Sequence, residues 1–406
     1  MSSVFILGRQ PAIGRAELES LYGSDHLTPI SSEAISCDLP PSEITFSRLG
    51  STVKMGVYLG TIKGASPSVL QKELPAFVAR CAAAIPEGKI QLGVSAYGGT
   101  LHAKQLLAIG LTLKKDLRNQ KRSVRLIPNQ EAALSSAQVL HNHLTGEQGI
   151  ELLLIRYKDS TVVAKSVAVQ DITAYAKRDQ ARPKRDAFVG MLPPKLAQTI
   201  VNLATSSADP QLGGVVLDPF CGTGVVLQEA TLMGFNVYGT DLNPRMVDYS
   251  DQNLMWLLDQ PGTPVTRPPE AADDQSWRYF KLEVGDATNH TWQPAPQFVA
   301  CEGYLGHPLT SWPRPEKLQT IISTCNLIFE KFLTNIAAQI KPQTRLCIAA
   351  PAWISPEGKV FHLPALDHLE KMGYNRVSFK YSREAEMLYH RSDQLVAREL
   401  LVITRK

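Results

Sequence analysis

Apolar residues switch between two periods along the chain, and the switching predicts a succession of strands and helices. Val4 to Leu7 is a short apolar run that predicts a strand, and Ala12 to Tyr22 sets Ile13, Leu18 and Leu21 at helical spacing. Ile44 to Leu49 and Val53 to Leu59 predict further strands, which makes the front of the chain a small α+β unit. Leu70 to Ala84 predicts a helix and Lys89 to Ser95 a strand. Ala103 to Gln120 predicts a helix with Leu106, Ile109, Leu113 and Leu117 on one stripe. Glu151 to Tyr157 and Thr161 to Val169 are β-rich runs separated by the turn Lys158-Asp159-Ser160.

Over Asp171 to Asp186 the apolar period is lost and charge is dense, so this stretch reads as a linker. Pro193 and Pro194 then stand where a helix with the stripe Leu196, Ile200 and Leu203 begins, proline being tolerated in a first turn. Strand and helix alternate from there: strands at Val215 to Leu217 and Val237 to Gly239 flank a helix that continues through Val225, Val226, Leu227 and Ala230. A helix over Pro244 to Leu258, a proline-rich acidic surface insertion at Asp259 to Ser276 and a strand at Phe280 to Val284 follow. A strand at Phe298 to Cys301, a long helix over Pro315 to Ile340 and a strand from Arg345 to Ala350, stopped by Pro351, come next. A helix at Leu366 to Met372 and strands at Arg376 to Lys380 and Glu399 to Thr404 complete the pattern. The alternation predicts an α/β, doubly wound, seven-stranded sheet ending in an antiparallel hairpin.

Length and composition narrow the class. A chain of 406 residues with 44% hydrophobic residues has room for two or three packed domains. The six cysteines form no C-x-x-C pair and several lie in apolar runs, which fits buried thiols in a reducing compartment and argues against a zinc site. With no apolar run of membrane-spanning length and no basic-then-apolar leader at Met1 to Gly8, a cytosolic protein with no membrane partner is expected. The formal charge of +4 excludes little, but its distribution is uneven. Lys114, Lys115, Arg118, Lys121, Arg122 and Arg125 crowd one segment, and Lys177, Arg178, Arg182, Lys184 and Arg185 another. Either cluster is a candidate grip on phosphate backbone or a solvated face.

The candidate chemistry gathers at Gly214 to Asn243, which reads as strand, glycine-bearing turn, helix, strand and acid. Gly222 and Gly224 allow a ligand to approach the backbone at the carboxyl end of a first parallel strand, where a Cβ would intervene. Asp241 ends the second strand, where a carboxylate can accept both hydroxyls of a ribose. Two glycines alone are equally compatible with a nicotinamide or flavin site, or with a structural turn, although the third glycine of the dinucleotide fingerprint is missing.

The run Asp218-Pro219-Phe220-Cys221-Gly222-Thr223-Gly224 resembles the first motif of S-adenosylmethionine-dependent methyltransferases that modify exocyclic amino groups of nucleic-acid bases. Lys89 to Asp171 resembles a THUMP domain, a tRNA-gripping module, through VSAYG, LLAIGLTLKKDLRNQKRSVRLI and ELLLIRYKDSTVVAKSVAVQDI. The run RPKRDAFVGMLPPKLAQTIVNLA resembles the segment ahead of the first motif in THUMP-linked tRNA guanine-N2 methyltransferases. The resemblance implies a ferredoxin-like α+β domain at 1–88, a THUMP-like domain at 89–171, a linker at 172–190 and a class I methyltransferase domain at 191–406. It implies S-adenosylmethionine as cofactor, held by Asp218, Phe220, Gly222, Gly224, Asp241 and Asp286, the last on the adenine amino group. It implies tRNA as partner, gripped by Lys114, Lys115, Arg118, Lys121 and Arg122, the guanosine at position 10 as target, and in some relatives a small activator subunit.

The fourth motif of the family, Asp or Asn followed by Pro-Pro and an aromatic residue, is replaced here by Glu302-Gly303-Tyr304-Leu305-Gly306. Glu302 takes the place of the amine-orienting oxygen and Tyr304 that of the stacking ring. Three functions follow: a guanine-N2 methyltransferase acting on tRNA, an RNA-binding protein of this fold with impaired catalysis or acting as a partner subunit, and a methyltransferase acting on another exocyclic amino group in RNA or DNA.

Overall fold

The computed structural model describes residues 2–99, 101–186, 192–261, 263, 280–391 and 394–406, so most of the insertion expected at Asp259 to Ser276 lies outside the described residues. Two compact units are present. Unit 1 comprises Met1–Arg15, Tyr22–Ser47 and Ser51–Ala174, and unit 2 comprises Ala16–Leu21, Arg48–Gly50 and Tyr175–Lys406.

The strands of unit 1 are β1 (Ser3–Leu7), β2 (Leu27–Pro29), β3 (Ala34–Cys37), β4 (Thr52–Lys63), β5 (Lys89–Tyr97), β6 (Ser123–Leu126), β7 (Gly149–Tyr157) and β8 (Ser160–Val169). They form one sheet in the order β2-β3-β1-β4-β8-β7-β5-β6. Strand β4 pairs antiparallel with β1 on one side and β8 on the other, so strands from both halves of the unit share the sheet. Helix α1 (Pro11–Tyr22) is divided between the units, Ala16–Leu21 being counted in unit 2, while α2 (Pro67–Ala83), α3 (Ala103–Asn119) and α4 (Ser136–His141) belong to unit 1. Leu70, Leu74 and Val78 of α2 and Leu106, Ile109, Leu113 and Leu117 of α3 pack with Ile90, Leu92, Val94 and Leu152 in one core. Under this sheet Lys54 donates to Glu151, with side chains 1% and 0% exposed, and Ser95 Oγ donates to the same carboxylate oxygen at 2.6 Å.

The strand expected at Ile44 to Leu49 is absent; 3₁₀ turns at Pro41–Glu43 and Phe46–Arg48 take its place. The Pro40-Pro41 pair begins the first turn, and Arg48 fans onto Asn202, Thr205 and Ser206 within unit 2, so local apolar pattern yields to these bonds.

Unit 2 adds α5 (Ile172–Gln180), within which the boundary between the units falls, then α6 (Pro194–Thr205), β9 (Val215–Asp218), α7 (Val225–Leu232), β10 (Asn236–Asp241) and α8 (Pro244–Leu258). These are followed by β11 (Phe280–Val284), β12 (Phe298–Glu302), α9 (Pro315–Ala337), β13 (Arg345–Ile354), β14 (Val360–Phe361), β15 (Tyr374–Arg376), β16 (Leu388–Tyr389) and β17 (Val396–Arg405). The main path of the sheet is β11-β10-β9-β12-β13-β17-β15, with β14 and β16 as short additions. Strands β11, β10, β9, β12 and β13 are parallel, whereas β17 runs antiparallel to β13. This is the expected doubly wound sheet with an antiparallel end. The order reverses between β9 and β12, and the carboxyl ends of the parallel strands open a crevice there.

Asp171 to Asp186, read as a linker, carries a helix: Asp171 Oδ1 caps α5 by accepting the Thr173 and Ala174 N–H groups, and Arg178 grips buried Glu229 through Nε at 2.7 Å and Nη2 at 3.2 Å. Three local expectations are corrected. Strand β13 does not stop at Pro351 but runs on to Ile354. Gly303 N donates to Ala349 O, so Ala349 faces β12 and Pro351, two residues on, faces the same way, past the end of β12 where no N–H is needed. The helix expected at Leu366 to Met372 is a 3₁₀ turn at Pro364–His368. The strand expected at Arg376 to Lys380 lies earlier, at Tyr374–Arg376.

Candidate active site

A cavity of about 910 Å³ opens at the carboxyl ends of β9, β10, β11 and β12. Asp218, Phe220, Gly222, Asp241, Asp286, Glu302 and Tyr304 all line it, though they come from four separate strand ends. The sequence brought these residues together only through a motif series; the sheet brings them together in space.

The turn after β9 is shaped by its own hydrogen bonds. Asp218, 2% exposed, accepts the Phe220 N–H at 3.1 Å, and Phe220 packs edge-on against Phe332 with ring centroids 5.2 Å apart. Gly222 has φ +51° and Gly224 φ +78°, conformations that side chains rarely adopt. Gly224 is not part of the cavity wall. It precedes α7, and a Cβ there would stand 2.9 Å from Ser250 Oγ, which itself donates to Gly222 O at 2.9 Å. Its contribution is therefore the close packing of the turn on α8.

Asp241 ties β10 to this turn: Oδ2 accepts the Gly222 N–H at 3.0 Å and Oδ1 the Asn243 N–H at 2.9 Å. Burial pushes its carboxyl above the ordinary range while these two bonds pull it down. Burial, with Asp241 and Glu302 nearby, pushes Asp218 well up. At the end of β11, Asp286 Oδ1 accepts both the N–H and the hydroxyl of Thr288, at 2.9 and 2.7 Å. Its other oxygen takes no protein hydrogen bond among the described residues.

At the end of β12, Arg398 of β17 donates through Nε to Glu302 Oε1. The two side chains are 6% and 15% exposed. Burial raises the Glu302 carboxyl and the Arg398 guanidinium lowers it. Sequence reasoning missed Arg398, which lies 96 residues away in the chain and in no motif. Gly303 N–H donates to Ala349 O at 3.0 Å, a bond that the family's proline at this place could not make. Tyr304 packs against the core, and His307 and Lys331 also line the cavity.

The basic residues of unit 1 divide. Lys115, Arg118 and Lys121 are exposed and Lys114 is half-buried. Arg122 is spent on the carboxyl end of α2, where it donates to the carbonyls of Ala82, Ile85 and Pro86 at 3.0, 3.1 and 2.9 Å. In the second cluster Arg178 is held by Glu229 and Arg182 is buried. Among the described residues no helix is long and apolar enough to cross a membrane.

Comparison with known proteins gives partial matches in sequence and near-complete ones in fold. A family model described as DNA methylase matches residues 114–252. A tRNA (guanine(10)-N2)-dimethyltransferase of Methanothermobacter thermautotrophicus is 47% identical over 78 residues, 19% of this chain and 22% of that protein. Its namesake in Pyrococcus abyssi is 44% identical over 63 residues, 16% of this chain and 17% of that protein. The matched stretches thus span about a fifth of these relatives. The crystal structure of TrmN from Thermus thermophilus covers 100% of both chains at 14% identity with a TM-score of 0.51. A possible methylase from Clostridium difficile covers 98% of this chain and 97% of its own at 12% identity with a TM-score of 0.52. The resemblance to the tRNA guanine-N2 methyltransferases and the class I methyltransferase fold are both borne out.

Proposed function

We propose that the chain is an S-adenosylmethionine-dependent methyltransferase that modifies the N2 amino group of a guanine in tRNA, at position 10 as the names of its relatives suggest. What carries this reading is the single cavity that unites a nucleoside-shaped half, Asp218 to Gly222 with Asp241 and Asp286, with an amine-facing half, Glu302 and Tyr304. The residues fit the cofactor: Gly222 of the positive-φ turn lines the cavity with no Cβ to obstruct it, and each Asp241 oxygen has accepted one N–H and keeps a lone pair for a ribose hydroxyl. The uncommitted oxygen of Asp286 suits the adenine amino group.

When bound, S-adenosylmethionine supplies a methyl group on a sulfonium centre. The protein's task is then placement. A guanine N2 is a poor nucleophile because its lone pair is conjugated into the ring. The Glu302 carboxylate accepts an N–H bond from it, offsets the positive charge that grows on nitrogen, and holds the amine in line. Tyr304 stacks on the base. Lys114, Lys115, Arg118 and Lys121 of unit 1 contact the phosphate backbone, an interaction that carries affinity rather than sequence.

Incubating the full chain with unmodified tRNA and methyl-labelled donor, then digesting to nucleosides, tests the reading. Label in N2-methylated guanosine supports it. Label in adenosine moves the activity to another exocyclic amine. Donor and tRNA binding without transfer leaves an RNA-binding protein that has lost catalysis.

A further inference from the structure

The prolines of the family's fourth motif stiffen the backbone on which the amine-orienting oxygen rides. Here glycines stand on both sides of Tyr304-Leu305, and Glu302 carries one more rotatable bond than an aspartate, so local rigidity is lost twice over. Strand β12 gains one more ladder bond, Gly303 N to Ala349 O, but this fixes the main chain and not the carboxylate. The carboxylate is fixed from β17, two strands along the sheet. Arg398 sits near the start of β17, opposite Pro351 of β13 and Tyr389 of β16, and its Nη1 is braced by Gln394 Oε1 at 3.3 Å.

We infer that Arg398 is a positioning residue, which commits Glu302 Oε1 to the protein so that Oε2 is the oxygen presented to the substrate amine. The inference rests on the reading of Glu302 given above. Oε2 takes no protein hydrogen bond among the described residues, and Glu302 is part of the cavity wall. A guanidinium suits this task because its planar fork sets direction as well as charge.

The electrostatics agree. The charged groups that act on Glu302 are Arg398 from β17 and Asp218 from β9; Cys301, its neighbour on β12, points to the other face of the sheet, and His307, Tyr304 and Lys331 line the same cavity. Burial raises the Glu302 carboxyl and Arg398 lowers it, so without Arg398 the accepting form is lost at a higher pH.

The test is kcat and KM against pH for the full chain and for Arg398→Gln, Arg398→Lys, Glu302→Gln and the Arg398→Gln, Glu302→Gln double variant. Arg398→Gln is expected to lower kcat about ten- to hundred-fold with donor KM little changed, and to move the acid limb of kcat to higher pH. Arg398→Lys returns the limb toward its original position but restores only part of kcat. In the Glu302→Gln background, the Arg398 substitution costs little more. Full turnover by Glu302→Gln would remove the role of Glu302 itself. An impaired Glu302→Gln, together with an unmoved limb in Arg398→Gln or losses that multiply in the double variant, would overturn the inference about Arg398 alone. If Arg398→Gln does not fold, Arg398→Lys decides: wild-type kcat contradicts a need for the fork.

Discussion

Replacing Asp241 by Ala removes the side chain that joins β10 to the glycine turn and that faces the ribose in the proposed complex. In the free protein the loss uncovers two N–H groups, those of Gly222 and Asn243. The Asn243 residue is exposed, so its N–H costs about 1 kcal/mol or less, whereas Gly222 is buried and its N–H costs about 1–3 kcal/mol. The substitution also relieves the burial of a carboxylate held above its ordinary range, an offsetting gain. The thermal midpoint therefore moves down by several degrees. Donor binding is affected far more, because a hydrogen bond to a charged group contributes about 1.5–3 kcal/mol and two hydroxyls share this carboxylate. At about 1.4 kcal/mol per factor of ten, one such bond corresponds to roughly ten- to hundred-fold in Kd, and the loss of both to about hundred-fold or more. Calorimetric titration with S-adenosylmethionine reads this directly, and Asp241→Asn, which keeps one acceptor but no charge, falls between. A pH series adds a sign. Binding by the native chain weakens as pH falls through the raised Asp241 value, at a higher pH than an ordinary aspartate would show, and the Ala variant lacks that limb. An unchanged Kd in Asp241→Ala would refute the ribose contact.

Gly224→Ala forces a side chain into φ +78° with its Cβ 2.9 Å from Ser250 Oγ, so a loss of roughly 1–3 kcal/mol is expected in a thermal melt, and an unaltered midpoint would contradict the tight-turn argument. Lys54→Met leaves Glu151 buried without its cation and is expected to cost about 3–5 kcal/mol in a denaturant titration, most of it recovered by adding Glu151→Gln. A small loss in the single variant would show that water reaches the carboxylate. Neutralising Lys115 and Arg118 should flatten the dependence of log affinity for tRNA on log salt by roughly 0.7–0.9 per contact removed, without altering donor affinity. An unchanged slope would place the RNA elsewhere. Neutralising Arg122 instead should lower stability, since it closes the end of α2.

Much of unit 2 was legible because its elements are punctuated where chemistry demands it. Helix α8 begins at Pro244 after Asn243, whose side chain accepts the Arg245 N–H, and both its ends fall where the sequence places them. Strand β11 likewise matches the apolar run from Phe280 to Val284. Where the reading failed, the stabilising partner was distant in the chain. Helix α5 has Tyr175 as its one buried residue and is held by an ion pair to Glu229, so apolar periodicity had little to report. Pro351 ends a strand by local rule, but β12 stops short of it and the missing N–H costs nothing. Within the cavity, the acids and glycines were visible as a motif series. The Arg398 guanidinium was not, because one arginine in an apolar strand looks the same whether it faces solvent or a carboxylate across the sheet.

Crystals of the full chain soaked with S-adenosylhomocysteine would test the shared cavity most directly. The expected result is density over the turn between β9 and α7, with both ribose hydroxyls on Asp241, the adenine amino group on Asp286 and the sulfur directed toward Glu302 and Tyr304. Density at another site, or a ligand in this cavity with its sulfur turned away from Glu302, would contradict the assignment of these residues to one reaction.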